Sequence, residues 1–437
     1  MRISTSMIFD AGVSAINRQT ADLLHLQQQV STGRRIITPA DDPVAAARAL
    51  EVQQAKDVLE QYSTNQGNAQ SSLNLEEAQL GSVRDMFGRL RELTVQAGND
   101  PLSASDRRSI AMELRSRFDE LMGIANATDA SGEYLFSGFQ GSTKPFGGNV
   151  DAMISGASTE VQYLGDDGQR MLQVSPTRQL AVSDAGNDVF MRIKNGNGYF
   201  TTAYAAGNTG TGIADAGNVT DPTTWNALAN KDYSIAFSVD AATNPPTTYY
   251  DIVDTTTGNS LLTGAAAPAP QANQRVYKSG EAIVLQSQGA EPAFNLGASV
   301  TISGEPATGD SFAIAPSTSQ SLFKTLATLI GKLEHAPVGA AEQAKFSADI
   351  GSALTNLDQA HENILRVTAA VGSRGNELDS LASTNADVTL QYQRTLSNLQ
   401  DLDWAKALSD ISRKQTDLEA AQKSFMMVSN LSLFNYL

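Results

Sequence analysis

The chain ends in WAKALSDISRKQTDLEAAQKSFMMVSNLSLFNYL, residues 404–437, where apolar residues recur at every seventh position. The members of this row are Trp404, Ile411, Leu418 and Phe425. A second row with the same spacing lies near the start of the chain, at Phe9, Ile16, Leu23 and Val30. A strict seven-residue repeat keeps an apolar stripe aligned only when two helices wind around each other. The two ends of the chain are therefore predicted to pair as a coiled-coil-like helix pair.

The predicted seam between these helices is narrow. Polar residues such as Gln19, Gln27, Lys414 and Gln422 stand where an autonomous coiled coil would carry leucine. Burial of each row residue contributes about 1.5–3 kcal/mol, which barely offsets a backbone entropy cost of about 1–2 kcal/mol per ordered residue. The isolated pair is therefore predicted to be marginal and to become ordered on assembly with neighbouring molecules. An ordinary two-helix hairpin on a globular domain fits the same pattern, since short heptad rows also arise by chance.

Length, composition and net charge limit the classes of protein to which the chain can belong. A chain of 437 residues, with 41% hydrophobic and 6% aromatic residues, is long enough for two to four domains but poor in large core-forming side chains. A net charge of −16 argues against nucleic acid or an anionic membrane surface as a partner. The absence of cysteine excludes disulfides and thiolate metal sites.

Two kinds of membrane-related segment are absent from the sequence. The first fifteen residues, MRISTSMIFDAGVSA, lack the apolar core of a cleavable secretory signal. Eighteen consecutive apolar residues, the length expected of a spanning helix, occur nowhere. We therefore expect no membrane-spanning segment and, for any exported form, a route that reads no cleavable signal.

Followed from its N-terminus, the sequence predicts a nested arrangement of helices around a central region. The first helix should run from about Thr5 to Thr32 and end at Gly33. Asp42 should cap a long helix that has Pro43 in its first turn and reaches Ala97. One face of that helix carries Leu80, Val83, Phe87, Leu90, Thr94 and Ala97. A further helix should start at a Ser105 cap, end near Gly132, and bury Ile110, Leu114, Phe118, Leu121 and Ala125.

From Tyr134 to about Ser317 the sequence becomes rich in Gly, Thr, Ser, Asn and Asp. Short runs at 191–193 and 236–239 predict strands, the Asn-Gly pairs at 195–198 predict turns, and residues 201–224 predict surface loops. Helical periodicity resumes at Ser321 and breaks at 336–339. The long helix that follows should bury one face, made of Phe346, Ile350, Leu354, Leu357, Ile364 and Leu365.

The predicted fold class is α+β, multidomain and elongated. The expected divisions are an N-terminal assembly helix at 1–33, a helical rod half at 34–146, a β-rich insertion at 147–317 with a possible outer subdomain at about 184–305, the other rod half at 318–403, and a C-terminal assembly helix at 404–437.

Residues with recognisable chemistry are few. His361-Glu362 opens a zinc-protease motif, but Leu365 occupies the position of the second ligand. Asp166-Asp167-Gly168 is predicted to be a turn. Arg34-Arg35 and Asp41-Asp42 are interpreted as a helix cap with local ion pairs rather than an ion-binding site. The sequence therefore predicts no catalytic, cofactor or metal site, and a protein that is not an enzyme.

Several segments resemble the bacterial flagellin superfamily. Residues 30–42, VSTGRRIITPADD, resemble its N-terminal signature, and DLDWA at 401–405 with SRKQT at 412–416 resembles its C-terminus. More narrowly, EYLFSGF at 133–139, Pro145-Phe146 and the final LSLFNYL are similar to the hook-filament junction branch, the family of the third hook-associated protein. The resemblance covers about residues 1–146 and 320–437.

This resemblance implies a structural role in the bacterial flagellum, as a layer between hook and filament. The implied partners are the other junction protein, filament flagellin, copies of the same chain, the type III flagellar export apparatus, and a cytoplasmic export chaperone at the C-terminal helix. The implied location is extracellular. The assembly interface is expected at the two apolar rows together with Leu431, Leu433 and Phe434. Filament flagellin itself and a surface adhesin with a helical polymerisation stalk are the alternatives.

Overall fold

The computed structural model describes residues 5–99, 102–335 and 337–434, and for residues 5, 6, 8 and 429–434 it describes the backbone alone. The helices are α1 Thr5–Thr32, α2 Pro43–Ala97, α3 Ala104–Ala125, α4 Val150–Ile154, α5 Pro222–Ala227, α6 Leu322–Glu334, α7 Ala340–Gln400 and α8 Trp404–Phe434. A π-helical turn covers Asn187–Met191 and a 3-10 turn covers Gln271–Asn273.

The strands lie between α3 and α6. They are β1 Phe146–Gly147, β2 Gln162–Tyr163, β3 Met171–Ser175, β4 Arg178–Ala181, β5 Ile193–Lys194, β6 Phe200–Tyr204, β7 Ile213–Ala214, β8 Asn218–Val219, β9 Tyr233–Asp240, β10 Thr247–Asp254, β11 Asn259–Ser260, β12 Arg275–Val276, β13 Ala282–Gln286, β14 Asn295–Ser303, β15 Ser311–Pro316 and β16 Ser319–Gln320. The fold class is therefore the predicted one, with terminal helices, long helices and a β-rich region between them.

The chain forms two compact units. Unit 1 consists of Met1–Gly67, Gln173–Arg178 and Leu378–Leu437, and unit 2 consists of Asn68–Leu172 and Gln179–Glu377. Both α2 and α7 contribute residues to each unit. The predicted division into assembly helices, rod halves and an insertion stays a prediction.

Several predicted helix features are confirmed. The first helix covers the predicted span and ends before Gly33, whose φ of 69° is the left-handed conformation of a helix C-terminus. Asp42 caps α2, since its Oδ1 accepts the Ala45 N–H at 3.0 Å. The predicted stripes on α2 and α3 are buried throughout.

The start of α3 differs from the prediction. Ser103, not Ser105, is the cap, because Ser103 Oγ accepts the Asp106 N–H while the Asp106 carboxylate accepts the Ser103 N–H. This reciprocal capping box satisfies two free donors, which Ser105 alone does not. The end also differs, because the Asn126 side chain bonds Met122 O and the Phe146 N–H and terminates the helix seven residues before Gly132.

An aromatic cluster forms the centre of unit 2 next to α3. It contains Phe118, Phe136, Phe146, Phe190 and Phe323, all with no exposed surface. Edge-on contacts join Phe190 to Phe136 and Phe146 at 5.3 and 5.7 Å between ring centroids. The π-helical turn that carries Phe190 replaces part of the strand predicted at 191–193. The backbone is drawn into that turn because Phe190 fills the cluster.

The β-rich region has two principal sheets around one core. The larger sheet has the order β11-β10-β9-β15-β6 with β12 beside β10, and the smaller has the order β13-β14-β7 with β8 beside β14. The core includes Trp225, Ile235, Ile252, Leu285 and Val300. The predicted strand at 236–239 lies in β9, whose side chains alternate between core and surface.

The prediction of surface loops across 201–224 is wrong. Residues 200–204 form β6, which pairs with β15 from Phe312↔Tyr204 to Pro316↔Phe200. Its threonines look like loop residues, but their backbone groups complete the sheet. The adjacent turns at Gly196 and Gly198 are confirmed by φ values of 60° and 86°. They connect β5 to β6 across two different sheets rather than within one hairpin.

The C-terminal helices follow most of their predicted pattern. Ser321 caps α6, and the stripe Leu322, Leu326, Leu329 and Leu333 is buried. On α7, Leu365 is 42% exposed, contrary to the prediction, because Ile364 and Val367 take the buried positions at that level. His361 lies on the helix face with its ring 5.2 Å from Phe87.

A buried carboxylate pair links α2 to α7 within unit 2. Glu76 accepts the Asp184 backbone N–H at 3.1 Å, and Arg374 Nη2 donates to both Asp184 oxygens at 2.8 and 2.7 Å. Among the described residues, Glu76 Oε2 is buried without a hydrogen-bond partner. Burial, with the nearby negative Asp184 adding to it, raises the pKa of Glu76 from 4.5 to about 8.

Glu76→Gln should remove a pH dependence of stability. Because the folded protein holds the Glu76 proton more tightly than the unfolded chain, its contribution is complete below pH 4.5 and falls by about 1.4 kcal/mol per unit until the pH passes about 8. Chemical unfolding from pH 4 to pH 9 should show the glutamine variant gaining on the wild type as pH rises. Parallel stability profiles would contradict the assignment.

Arg275 joins the two principal sheets. Its guanidinium pairs with Glu291, their side chains being 9% and 16% exposed, and it donates to the β13 carbonyls of Val284 and Gln286 at 3.2 and 2.6 Å. Arg275→Met should cost about 1.5–3 kcal/mol of unfolding free energy, because the partly buried Glu291 carboxylate and two carbonyls lose a charged hydrogen-bond donor. Lys278→Met, at an exposed pair with Glu281, should change it by less than about 0.5 kcal/mol. Equal effects in urea unfolding would refute this role.

Candidate assembly interface

The terminal helices α1 and α8 pair in antiparallel orientation within unit 1. Phe9, near the start of α1, contacts Phe425, near the end of α8, with ring centroids 5.0 Å apart. At the opposite end of the pair, Leu402 N donates to Gly33 O at 3.0 Å. Between them, Lys414 Nζ lies 2.8 Å from Asp22 Oδ2. The two ends of the chain therefore meet along the predicted seam.

Local hydrogen bonds fix the point at which α1 ends and the point at which α8 begins. Asp403 precedes α8, and its Oδ1 accepts the Lys406 N–H at 3.1 Å. Gly33 follows α1, and the loop after it lies against the end of α7. Arg35 N donates to Gln400 O at 2.7 Å, and Arg35 Nη2 donates to Leu399 O at 3.0 Å. Arg35 thus satisfies carbonyls that the last turn of α7 would otherwise leave free.

Asp41 organises the same loop. Its Oδ2 accepts the N–H groups of Ile37 and Thr38 at 2.9 and 2.8 Å, and its Oδ1 lies 3.0 Å from His25 Nε2. The backbone N–H of Thr38, followed by that of Ile37, lowers the pKa of Asp41. Arg35 lies 3.5 Å from Asp42. The interpretation of these charges as caps and local pairs is confirmed.

The structure brings the predicted row residues into one seam, but it buries them incompletely. Phe9 and Trp404 are 50% and 52% exposed. The other row members, Ile16, Leu23, Val30, Ile411, Leu418 and Phe425, are partly buried. The side chains of Leu431, Leu433 and Phe434 lie outside the described residues. Their role in assembly stays a prediction, as does that of the eight row residues.

A second line of residues completes the seam, and the sequence alone placed only its Gln19 and Lys414 there. Its members are Gly12, Gln19 and Leu26 on α1 and Ala407, Lys414 and Ala421 on α8, three positions after the row members. Ala407 is 3% exposed, and the others are partly buried. Most of these side chains are small or polar, so hydrophobicity alone does not reveal them. The alternating spacing of three and four is the heptad signal that identifies them.

The two helices carry exposed apolar side chains both in and beside the seam. Those at least half exposed are Met7, Phe9, Leu24, Trp404, Leu408, Met426, Met427 and Val428. Single exposed apolar residues are ordinary, but this number on one helix pair favours further contacts. Methionine is common on such surfaces because its flexible side chain adapts to different partners.

Charge is divided unequally between the two units. The sequence ranges of unit 1 hold 12 Lys and Arg against 14 Asp and Glu, whereas those of unit 2 hold 19 against 33. The acidity of the chain therefore belongs almost entirely to unit 2. Copies of unit 1 can approach each other with little electrostatic repulsion.

The described residues hold neither a metal-binding cluster nor a membrane-spanning helix. Within 5–99, 102–335 and 337–434, no three His, Asp or Glu side chains converge as a metal site requires. Across the part of the chain that the structure describes, no helix combines the length and apolarity needed to cross a bilayer.

Comparison with known proteins gives a consistent result. Residues 3–141 match the model of the bacterial flagellin N-terminal helical region. The chain is similar to flagellar hook-associated protein 3 of Escherichia coli (strain K12), with 26% identity over 436 residues that cover 99% of each chain. It is also similar to the crystal structure of the flagellar junction protein FlgL from Legionella pneumophila, with 30% identity, a TM-score of 0.68, and coverage of 81% of this chain and 100% of that one. The flagellin of Salmonella berta is 28% identical over 210 residues, covering 48% of this chain and 40% of the flagellin.

The two tryptophans offer a test of the seam in solution. Trp404 is 52% exposed in unit 1, whereas Trp225 is 1% exposed in the core of the β-rich region. Acrylamide should quench Trp404 and leave Trp225 emitting, because a collisional quencher must reach the ring. Trp404→Phe should therefore abolish most of the quenchable emission. An unchanged quenchable fraction would show that Trp404 is buried.

Proposed function

The chain belongs to the family of flagellar hook-associated protein 3, and we propose that it connects the hook to the filament through contacts that complete its α1/α8 pair. The protein is a structural component of the bacterial flagellum, at the junction between hook and filament. The incompletely buried seam is the observation that carries the proposed mode of action. Each exposed apolar side chain that a neighbour covers adds about 1.5–3 kcal/mol to the assembly.

A position at this junction implies contacts with several kinds of neighbouring molecule. On the hook side we assign the other hook-filament junction protein, and on the distal side the first filament flagellin. Copies of the same chain complete the layer laterally. The near-neutral charge of unit 1 supports such contacts, because it lets terminal helices from several copies lie side by side.

The route to this place is part of the proposal. We assign export through the type III flagellar apparatus and an extracellular location in the flagellum. A cytoplasmic chaperone would cover α8 before export. This is supported by the exposed Leu408, Met426 and Met427, which would otherwise favour association inside the cell. We assign the protein no catalytic step.

The extent of similarity favours a junction protein over filament flagellin. The flagellin match leaves about half of this chain and more than half of the flagellin unaligned, whereas the hook-associated protein matches from end to end. A protein that forms a junction layer must also stop adding copies of itself, whereas a filament protein continues to add them. Purified monomer should therefore fail to grow long filaments from seeds.

Leu418→Asp tests the proposal in cells from which the native gene has been deleted. A carboxylate in the seam loses water on pairing, so α1 and α8 should separate. Flagellin should then be shed into the medium while hooks remain, and the purified variant should keep the thermal unfolding of its β-rich region. Ala241→Asp adds the same charge at an exposed turn and should retain filaments. Normal filaments with Leu418→Asp would refute the proposal.

A further inference from the structure

Gly12 occupies an unusually tight position on α1. A Cβ added there would lie 2.7 Å from Phe425 Cδ2 and 3.1 Å from Phe425 Cε2. Carbon atoms in van der Waals contact are about 3.5–4.0 Å apart, so the ring enters space that only glycine leaves open. The same ring contacts Phe9. Phe425 is therefore held on one side by Phe9 and on the other by the bare backbone at Gly12.

Other helical glycines do not share this property. Gly67, Gly81 and Gly88 of α2 have no atom within 4 Å of an added Cβ. Alanine is ordinarily the better helix former, so glycine at such open positions only weakens the helix. Gly12 lowers the helix propensity of α1 in the same way, but its missing side chain leaves room for the Phe425 ring. The contact thus explains why a glycine occurs within α1.

The seat of Phe425 determines the direction of the residues that follow it. Successive side chains of an α-helix are about 100° apart around the axis, so fixing Phe425 towards α1 turns the next two residues away. Met426 and Met427 are accordingly 57% and 66% exposed. Val428, three positions after Phe425, returns to the seam side of α8.

The other end of the pair is held differently. Leu402 N donates to Gly33 O, and an added Cβ at Gly33 would lie 3.6 Å from the Trp404 ring, an ordinary contact. Backbone hydrogen bonds therefore fix the start of α8. Its far end, some thirty residues on, needs its own contact to set the rotation of the helix.

We propose that Gly12 is a positioning residue: by admitting the Phe425 ring, it sets the rotation of the last turns of α8 against α1 and turns Met426 and Met427 outward from the pair. The effect on flagella expected in the second test rests on the proposed function. The seating of the ring itself does not depend on that function.

The first test compares Gly12→Ala with Gly67→Ala in the purified full-length chain. Amide exchange, timed from milliseconds, should be about tenfold faster for residues 415–428 in Gly12→Ala. Gly67→Ala should leave that segment unchanged. In a Phe425→Ala background the effect of Gly12→Ala should disappear, because no ring remains to be displaced. An effect of equal size in both backgrounds, or no effect in the wild type, would overturn the proposal.

The second test uses the deletion strain. Cells carrying Gly12→Ala should shed flagellin, cells carrying Gly67→Ala should keep filaments, and Gly12→Ala cells with normal filaments would overturn the positioning role. Should the wild-type gene itself fail to restore filaments, the proposed function falls, while the exchange experiment still decides whether Gly12 seats Phe425.

Discussion

The antiparallel contact between α1 and α8 is the interaction on which the rest depends. Its seam alternates large apolar residues with glycine, alanine, glutamine and lysine, so that even Phe9 and Trp404 keep half of their surface exposed. A pair of this composition gains too little from its own burial to be rigid. In the proposed function, neighbouring molecules supply the stability that the pair lacks.

The remainder of the chain, in contrast, is stabilised by buried cores of its own. The β-rich region buries Trp225 and its core neighbours, and Arg275 joins its two sheets through hydrogen bonds to β13. The aromatic cluster around Phe190 and the buried Glu76–Asp184–Arg374 group leave little for another molecule to complete. One chain therefore combines self-sufficient cores with terminal helices whose seam is incompletely buried.

The sequence predicted those features that periodicity encodes directly. The heptad rows, the α2 stripe and the cap at Asp42 all depend on residues close together in the chain. Features that depend on distant partners were missed. The strand β6 has the composition of a loop and is held by β15, and Gly12 acquires its role only because Phe425 lies against it. The Ser103 cap is local, but it depends on Asp106 as well as on the serine, and the prediction considered the serine at 105 alone.

The most direct measurement is amide exchange across the whole chain in a preparation verified as monomeric. If α1 and α8 await completion by neighbours, residues 9–32 and 404–428 should exchange at least about a thousandfold faster than the buried face of α3. Equal protection of the terminal helices and α3 in the monomer would mean that the pair is already complete. It would contradict a junction built by finishing the seam between molecules.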